Sequence, residues 1–188
     1  MTHTQIFEPD SRAIPYAVEG VRRTVVLIAD AGLGIDSLGA LAASLAVEEY
    51  RVVRVGARER ADAAGSSHVQ AQDVVDILDH LGIADAWIGG HGAGGTVARA
   101  VAADHPSRVD GVVLLGVEAG GDAPADGIPV LVIQGTQDEV TPPANGDALQ
   151  ASAPGLVSLV RVDGGGHLFP ATHVGQTSWA IEDYLDWD

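Results

Sequence analysis

Trp87-Ile88-Gly89-Gly90-His91-Gly92-Ala93-Gly94-Gly95, continuing as Thr96-Val97-Ala98-Arg99-Ala100-Val101, is the stretch on which the reading of this chain turns. A short apolar strand runs into a glycine cluster and then into an alanine-rich helix. Tight strand-to-helix turns need glycine because a Cβ clashes where the backbone doubles back, and because φ above zero is often required. Two chemical readings fit. In the first the turn has the pattern G-x-S-x-G, with a nucleophile exposed at its apex. Gly90-His91-Gly92-Ala93-Gly94 matches, with Gly92 standing where the serine belongs. In the second, Gly90, Gly92 and Gly95 form G-x-G-x-x-G, the pyrophosphate-binding turn of a dinucleotide fold. A third reading gives the turn only a connecting role.

Upstream of the turn, residues 14–18 and 24–28 read as strands joined at Glu19-Gly20, a hairpin signal. The second strand runs into the loop Ala29-Asp30-Ala31-Gly32-Leu33-Gly34. A helix with Leu38, Leu41, Ala42 and Leu45 on its apolar face follows, with Asp36 or Ser37 as its cap. Residues 52–55 form a buried-type strand, and the polar segment 56–65 reads as loop. Ser67 and Gln70 stand at capping-box spacing before a helix carrying Val74, Ile77, Leu78 and Leu81, which Gly82 ends.

Downstream, His105-Pro106 stops the helix that follows the glycine turn. Strands are expected at 112–115, 130–133 and 157–162, with a helix around 144–151. A last helix carries Trp179, Ile181, Tyr184 and Leu185. Strands alternate with helices from residue 24 onward, and several are apolar throughout, as strands covered on both faces are. The expected fold is α/β: one domain over 1–188, a three-layer α/β/α sandwich with a mostly parallel sheet and an antiparallel edge made by the first hairpin.

Composition narrows the function. The chain has 188 residues and 46% apolar content, which describes a globular protein. It has no cysteine and no lysine, so thiolate catalysis, lysine Schiff bases and the Walker P-loop are excluded. A net charge of −16 repels nucleic acid and anionic membranes, and neither is expected as a partner. The scattered acids read as a solvated, acidic surface. Residues 1–5 lack the basic and apolar regions of a signal peptide, and no apolar run approaches a membrane span. A cytoplasmic location is expected. No ligand-spacing motif marks a metal site, so neither metal nor cofactor is expected; His91, Asp30, His167 and Asp138 would have to build one.

Two later segments favour the first reading of the turn. Gly135-Thr136-Gln137-Asp138 follows one late strand and Gly164-Gly165-Gly166-His167 follows the next. Nucleophile position, acid and histidine then come in the chain order of α/β-hydrolases. Here the chain resembles that family over almost its whole length. Gly90-His91-Gly92-Ala93-Gly94-Gly95 is similar to its Gly-His-Ser-x-Gly-Gly, and Ala102 to Val109 resembles its helix exit. The dinucleotide reading fits less well: Glu118, the acid that would bind ribose, lies further from Gly90 than the usual ~20 residues.

The resemblance implies a nucleophile elbow at Gly92, an acid at Asp138 and a base at His167. It also implies an oxyanion hole from the Ala93 N–H and the 29–31 loop (Ala29, Asp30, Ala31), with His91 packed beside the elbow. Three features depart from the family pattern. Gly92 has no side chain, the oxyanion loop reads Ala29-Asp30, and Val55-Gly56-Ala57-Arg58 keeps only Arg58 of Asp-x-Arg-Gly-x-Gly. A carboxylate at Asp30 opposes developing negative charge if it points inward, and is without effect if it faces solvent. The short 118–129 connection leaves no room for a cap domain.

Acyl-enzyme chemistry needs an attacking side chain, and Gly92 offers none. What remains is an Asp138–His167 dyad facing empty space above Gly92, where His167 activates water for slow ester or lactone hydrolysis or does other base chemistry on a small molecule. The alternative is a pseudo-hydrolase that binds a small molecule or a protein, and a homodimer is allowed.

Overall fold

The sheet is ordered by which strands are buried along their whole length. The computed structural model describes residues 3–57 and 66–186. Its strands are β1 (Gln5–Phe7), β2 (Ile14–Glu19), β3 (Thr24–Ile28), β4 (Arg51–Val55), β5 (Ala86–His91), β6 (Val109–Leu115), β7 (Val130–Gly135) and β8 (Val157–Val162). Its helices are α1 (Gly39–Val47), α2 (Ser67–His80), α3 (Ala93–Asp104), α4 (Pro143–Ser152), α5 (Phe169–Thr172) and α6 (Val174–Leu185). The eight strands run in the order β1-β2-β4-β3-β5-β6-β7-β8. All neighbours from β4 to β8 are parallel, and β1 and β2 are antiparallel at one edge.

Alternation along the central strands builds two cores. Val25 and Leu27, Trp87, Val113 and Leu115, and Leu131 and Ile133 face α1, α5 and α6, meeting Leu41, Leu45, Phe169, Ile181 and Leu185. Val26 and Ile28, Ile88, Val112 and Leu114, and Val130 and Val132 face the other way, onto Val74, Ile77, Leu78, Val97 and Val101 of α2 and α3. The architecture is therefore α/β/α with a mostly parallel sheet, and no separate cap domain is evident among the described residues. No helix among them is long and apolar enough to cross a membrane.

Three local expectations are corrected. The hairpin is β1–β2, while β2 and β3 are not partners: β4 lies between them, antiparallel to β2 and parallel to β3. Placing β4 there buries both of its edges, and Gly20, at φ +75°, turns the chain past Tyr50. Neither Asp36 nor Ser37 caps α1; both lie in a 3-10 turn, Ile35–Leu38, where the Ser37 hydroxyl donates to the Gly34 carbonyl (2.7 Å). The capping box at Ser67 and Gln70 is not formed, because the cap position is Ser66 and no side chain bonds the helix N-terminus. Gly82 does end α2, at φ +66°. Most of the 56–65 loop, Arg58 included, lies outside the described residues.

The topology also locates a crevice. The chain leaves β3 toward β4 on one side, then returns through α2 to β5 on the other. In open α/β sheets such a switch point, at the carboxyl ends of the strands, is where ligands bind. The loop after β3 and the bend after β5 meet there.

Candidate functional site

Register determines what meets at the crevice. Ile28 is level with Gly90 in the β3–β5 pair, so Asp30 and Gly92 each lie two residues past the same rung. Gly92 has φ +51° and ψ −117°, a backbone state that L side chains avoid. The neighbouring glycines are there for close approach: a Cβ at Gly90 would strike the Gly94 carbonyl, and one at Gly94 would strike the Ile28 carbonyl. These contacts, made within the chain, account for the glycines without a dinucleotide.

The space over Gly92 is not empty. A Cβ built there would fall well under 3.0 Å from Asp30 Oδ2 and 3.4 Å from His167 Cε1. Asp30 therefore points inward, into the volume a side chain at 92 would fill, and not to solvent. Its Oδ2 accepts the Ala93 N–H at 3.1 Å and its Oδ1 accepts the Gly32 N–H at 3.2 Å. The Ala93 N–H is the first of the unpaired donors at the α3 N-terminus, where a carboxylate is favoured by the helix dipole. It is thus already occupied. Ala29 is buried and its N–H bonds the Val55 carbonyl, while Ala31 is exposed.

Asp138 and His167 come together at the ends of β7 and β8. Pairing of Gly135 with Val162 and the Gln137 N–H to Gly165 carbonyl bond (2.8 Å) bring the two loops side by side. His167 Nδ1 lies 3.2 Å from Asp138 Oδ2, and its Nε2 lies 3.9 Å from Asp30 Oδ2. The imidazole thus stands between two carboxylates. Burial alone would raise the Asp138 pKa, but hydrogen bonds from the Thr141 hydroxyl and N–H, with His167 beside it, hold it below the ordinary carboxylate value. His91 is buried and tilted against His167, ring centroids 4.5 Å apart, and its Nε2–H donates to the His167 carbonyl (2.9 Å). Burial, then the neighbouring His167, lower its pKa and keep it neutral.

A bend between a central parallel strand and a helix, with acid and histidine after the next strands in chain order, is a family arrangement, and the sequence comparison agrees. Residues 24–176 match the Alpha/beta hydrolase family. The chain belongs to that family. Among curated proteins it is 33% identical over 100 residues to the one named "Putative carbamate hydrolase RutD", from Caulobacter sp. (strain K31). That match takes in 50% of this chain and spans only 37% of the relative's length. Among solved structures it superposes on a thermophilic esterase from Thermogutta terrifontis (17% identity, TM-score 0.84, 99% and 98% of the two chains). It superposes equally on a hydrolase from Pseudomonas aeruginosa (18% identity, TM-score 0.84, 97% and 98%). These likenesses concern the fold.

In this member of the family, His91 packs beside the bend at Gly92, against His167. Two contributors are absent from the reading of the residues. Thr141 donates its hydroxyl to Asp138 Oδ2 (2.6 Å), and its N–H and that of Val140 bond Oδ1 (2.8 and 2.9 Å). The signal existed: Asp138, two residues on and three residues on, is the spacing of an aspartate that bonds its own turn, followed by Pro142-Pro143. Gln134, fully buried, donates to the Thr141 carbonyl (2.6 Å) and accepts the Val117 N–H (3.2 Å), tying the loops after β6 and β7 together.

Beside Ala93, a cavity of about 260 Å³ opens between α2, α3 and the ends of β3 and β4. Ile28, Val55, Val74 and Val97 line it, with Ser67, Gln70, Asp73, Thr96 and Glu118 as its polar groups. Thr96 donates to Glu118 Oε2 (3.0 Å). The cavity's lining includes Ala29, Ala31 and Ala93 but not His167. Among the described residues no group of three His, Cys, Asp or Glu side chains is arranged to hold a metal ion.

Proposed function

We propose that this chain is a small-molecule hydrolase that works without a serine nucleophile. His167 is the general base, Asp138 orients it, and water attacks the substrate. The observation that carries this reading is the 3.2 Å contact of His167 Nδ1 with Asp138 Oδ2, with Nε2 turned toward the elbow. With Nδ1–H donated to the carboxylate, the Nε2 lone pair is free to take a proton from water. Esters and lactones, or carbamates as in the name of the curated relative, are the substrates to try first. Their non-reacting parts would lie in the cavity beside Ala93. The location is cytoplasmic, and the partner is this small molecule, not nucleic acid or membrane.

A second reading has its own observation. The Ala93 N–H, the donor that a developing oxyanion would use, is taken by Asp30, which favours a catalytically silent member that binds a small molecule in the same cavity. Turnover of 4-nitrophenyl acetate separates the two. The hydrolytic reading expects slow turnover that falls at least ~100-fold in His167→Ala, with no labelling of the unmodified chain by a fluorophosphonate. Equal rates in both proteins would sink it and leave the binding reading.

A further inference from the structure

The polar groups of the cavity beside Ala93 come partly from the start of α2, with Ser67 and Gln70, and partly from the segment after β6, with Glu118. His68 ties those two elements to each other. From the first turn of α2 it sets Nδ1 2.7 Å from Asp104 Oδ2, at the end of α3, and Nε2 3.7 Å from Asp122 Oδ2, in the segment after β6. We infer that His68 is a pH-operated clasp on this cavity. Charged, it holds the 117–124 segment against the start of α2; neutral, it lets the two part and the cavity open. The inference rests on the reading above that this cavity takes the small molecule.

The donors of the ring decide its state. Imidazolium has two N–H donors, whereas neutral imidazole has one donor and one lone pair. With a carboxylate at each ring nitrogen, only the charged ring serves both. On losing a proton it keeps one N–H for the nearer carboxylate, Asp104, and turns a lone pair toward Asp122. An attraction then becomes a repulsion.

Among the described residues, Asp104 and Asp122 are the charged groups that face the ring. The first acid on α2 itself, Asp73, is turned to Arg12. Arg99 of α3 donates to the carbonyls of Gly120 and Asp122, and its charge attracts the Asp122 carboxylate. Release at Asp122 therefore loosens the contact with α2 and leaves the segment anchored to α3.

The hydrogen bond to Asp104, then the charges of Asp104 and Asp122, raise the His68 pKa above its ordinary 6.5. A group raised on folding holds its tie fully below 6.5 and loses it as pH rises through the raised value. The clasp shuts on the acid side and opens on the alkaline side. The His68, Asp104 and Asp122 side chains are 48%, 37% and 29% exposed, so water screens the pairs. The change in opening is then a factor of about 2–5. The chain has no cysteine and no lysine, so histidines are the side chains that titrate in this range.

The test is backbone hydrogen exchange near pH 6 and near pH 9, corrected for the intrinsic rate. It is read on peptides covering 67–74 and 117–124 in the unmodified protein, His68→Gln and Asp122→Ala. KM and kcat for 4-nitrophenyl butyrate are measured on the same samples. The unmodified protein should exchange about 2–5-fold faster in both peptides at the higher pH, with KM lower by a similar factor. Both variants should exchange at the faster rate at either pH, and Asp122→Ala should lower the midpoint of the His68 ring titration by NMR. The same pH response in His68→Gln as in the unmodified protein overturns the inference, and so does a His68 midpoint at or below 6.5. Exchange that responds while KM does not overturns it too, because the clasp then does not govern the cavity. Absence of ester turnover in every sample ends the hydrolytic reading instead; exchange and the His68 midpoint still decide the clasp.

Discussion

Gly92→Ser rebuilds the family's serine pattern on paper, and the structure says that it fails alone. The new Cβ must sit at φ +51° and ψ −117°, which costs about 1–3 kcal/mol for a non-glycine residue. It also overlaps Asp30 Oδ2 and comes 3.3 Å from Asp30 Cγ, so the carboxylate has to swing away and release the Ala93 N–H. A hydrogen bond to a charged group contributes about 1.5–3 kcal/mol. Together the losses are about 2.5–6 kcal/mol. For a domain of this size that is a Tm lower by roughly 6–15 °C. Asp30→Ala gives up the same hydrogen bond, so in the double variant Asp30→Ala with Gly92→Ser it is counted once. The two substitutions should then be less damaging together than their sum by about 1.5–3 kcal/mol. The double variant also has a hydroxyl beside His167 and a free Ala93 N–H, and should be labelled by a fluorophosphonate where the single is not. Urea unfolding of the four proteins and a labelling time course measure both effects. Additivity within ~0.5 kcal/mol, or equal labelling of single and double variants, would refute the placement of Asp30.

Two further expectations concern the imidazoles and their support. Because burial and then His167 lower the His91 pKa, the unfolded chain binds that proton more readily than the folded one. The stability His91 contributes is complete above its ordinary value of 6.5 and is lost as pH falls from there through the lowered folded value. Urea midpoints should drop on acidification from pH 7 toward 5, less steeply in His91→Phe, and an NMR titration placing His91 at or above 6.5 would contradict this. Thr141→Val removes the hydroxyl bonded to Asp138 Oδ2 and should cost about 1–3 kcal/mol. It should also raise the Asp138 pKa, slow His167-dependent ester turnover and narrow its pH range; an unchanged pH profile would make the Thr141 contact incidental.

The alternation of apolar strands and helices made the fold legible, because strands buried on both faces are apolar along most of their length. Pairing of β2 with β4 was not legible. The Glu19-Gly20 turn has hairpin chemistry whichever strand lies next door, and the choice is made by long-range burial of Val52 and Val53. Asp138 and His167 were readable because each follows a well-marked strand. Where Asp30 points was open from residue types alone. It depends on the level pairing of Ile28 with Gly90 across two parallel strands and on an unpaired N–H at the start of α3. Neither leaves a local pattern. Thr141 did leave one, in the spacing of the turn that Asp138 organises.

The Ala93 amide proton reports on the central geometry directly. Bonded to the Asp30 carboxylate, it should lie well downfield in a 1H–15N spectrum and lose that displacement in Asp30→Ala. An Ala93 amide with the same chemical shift in the two proteins would mean that Asp30 does not stand at the elbow.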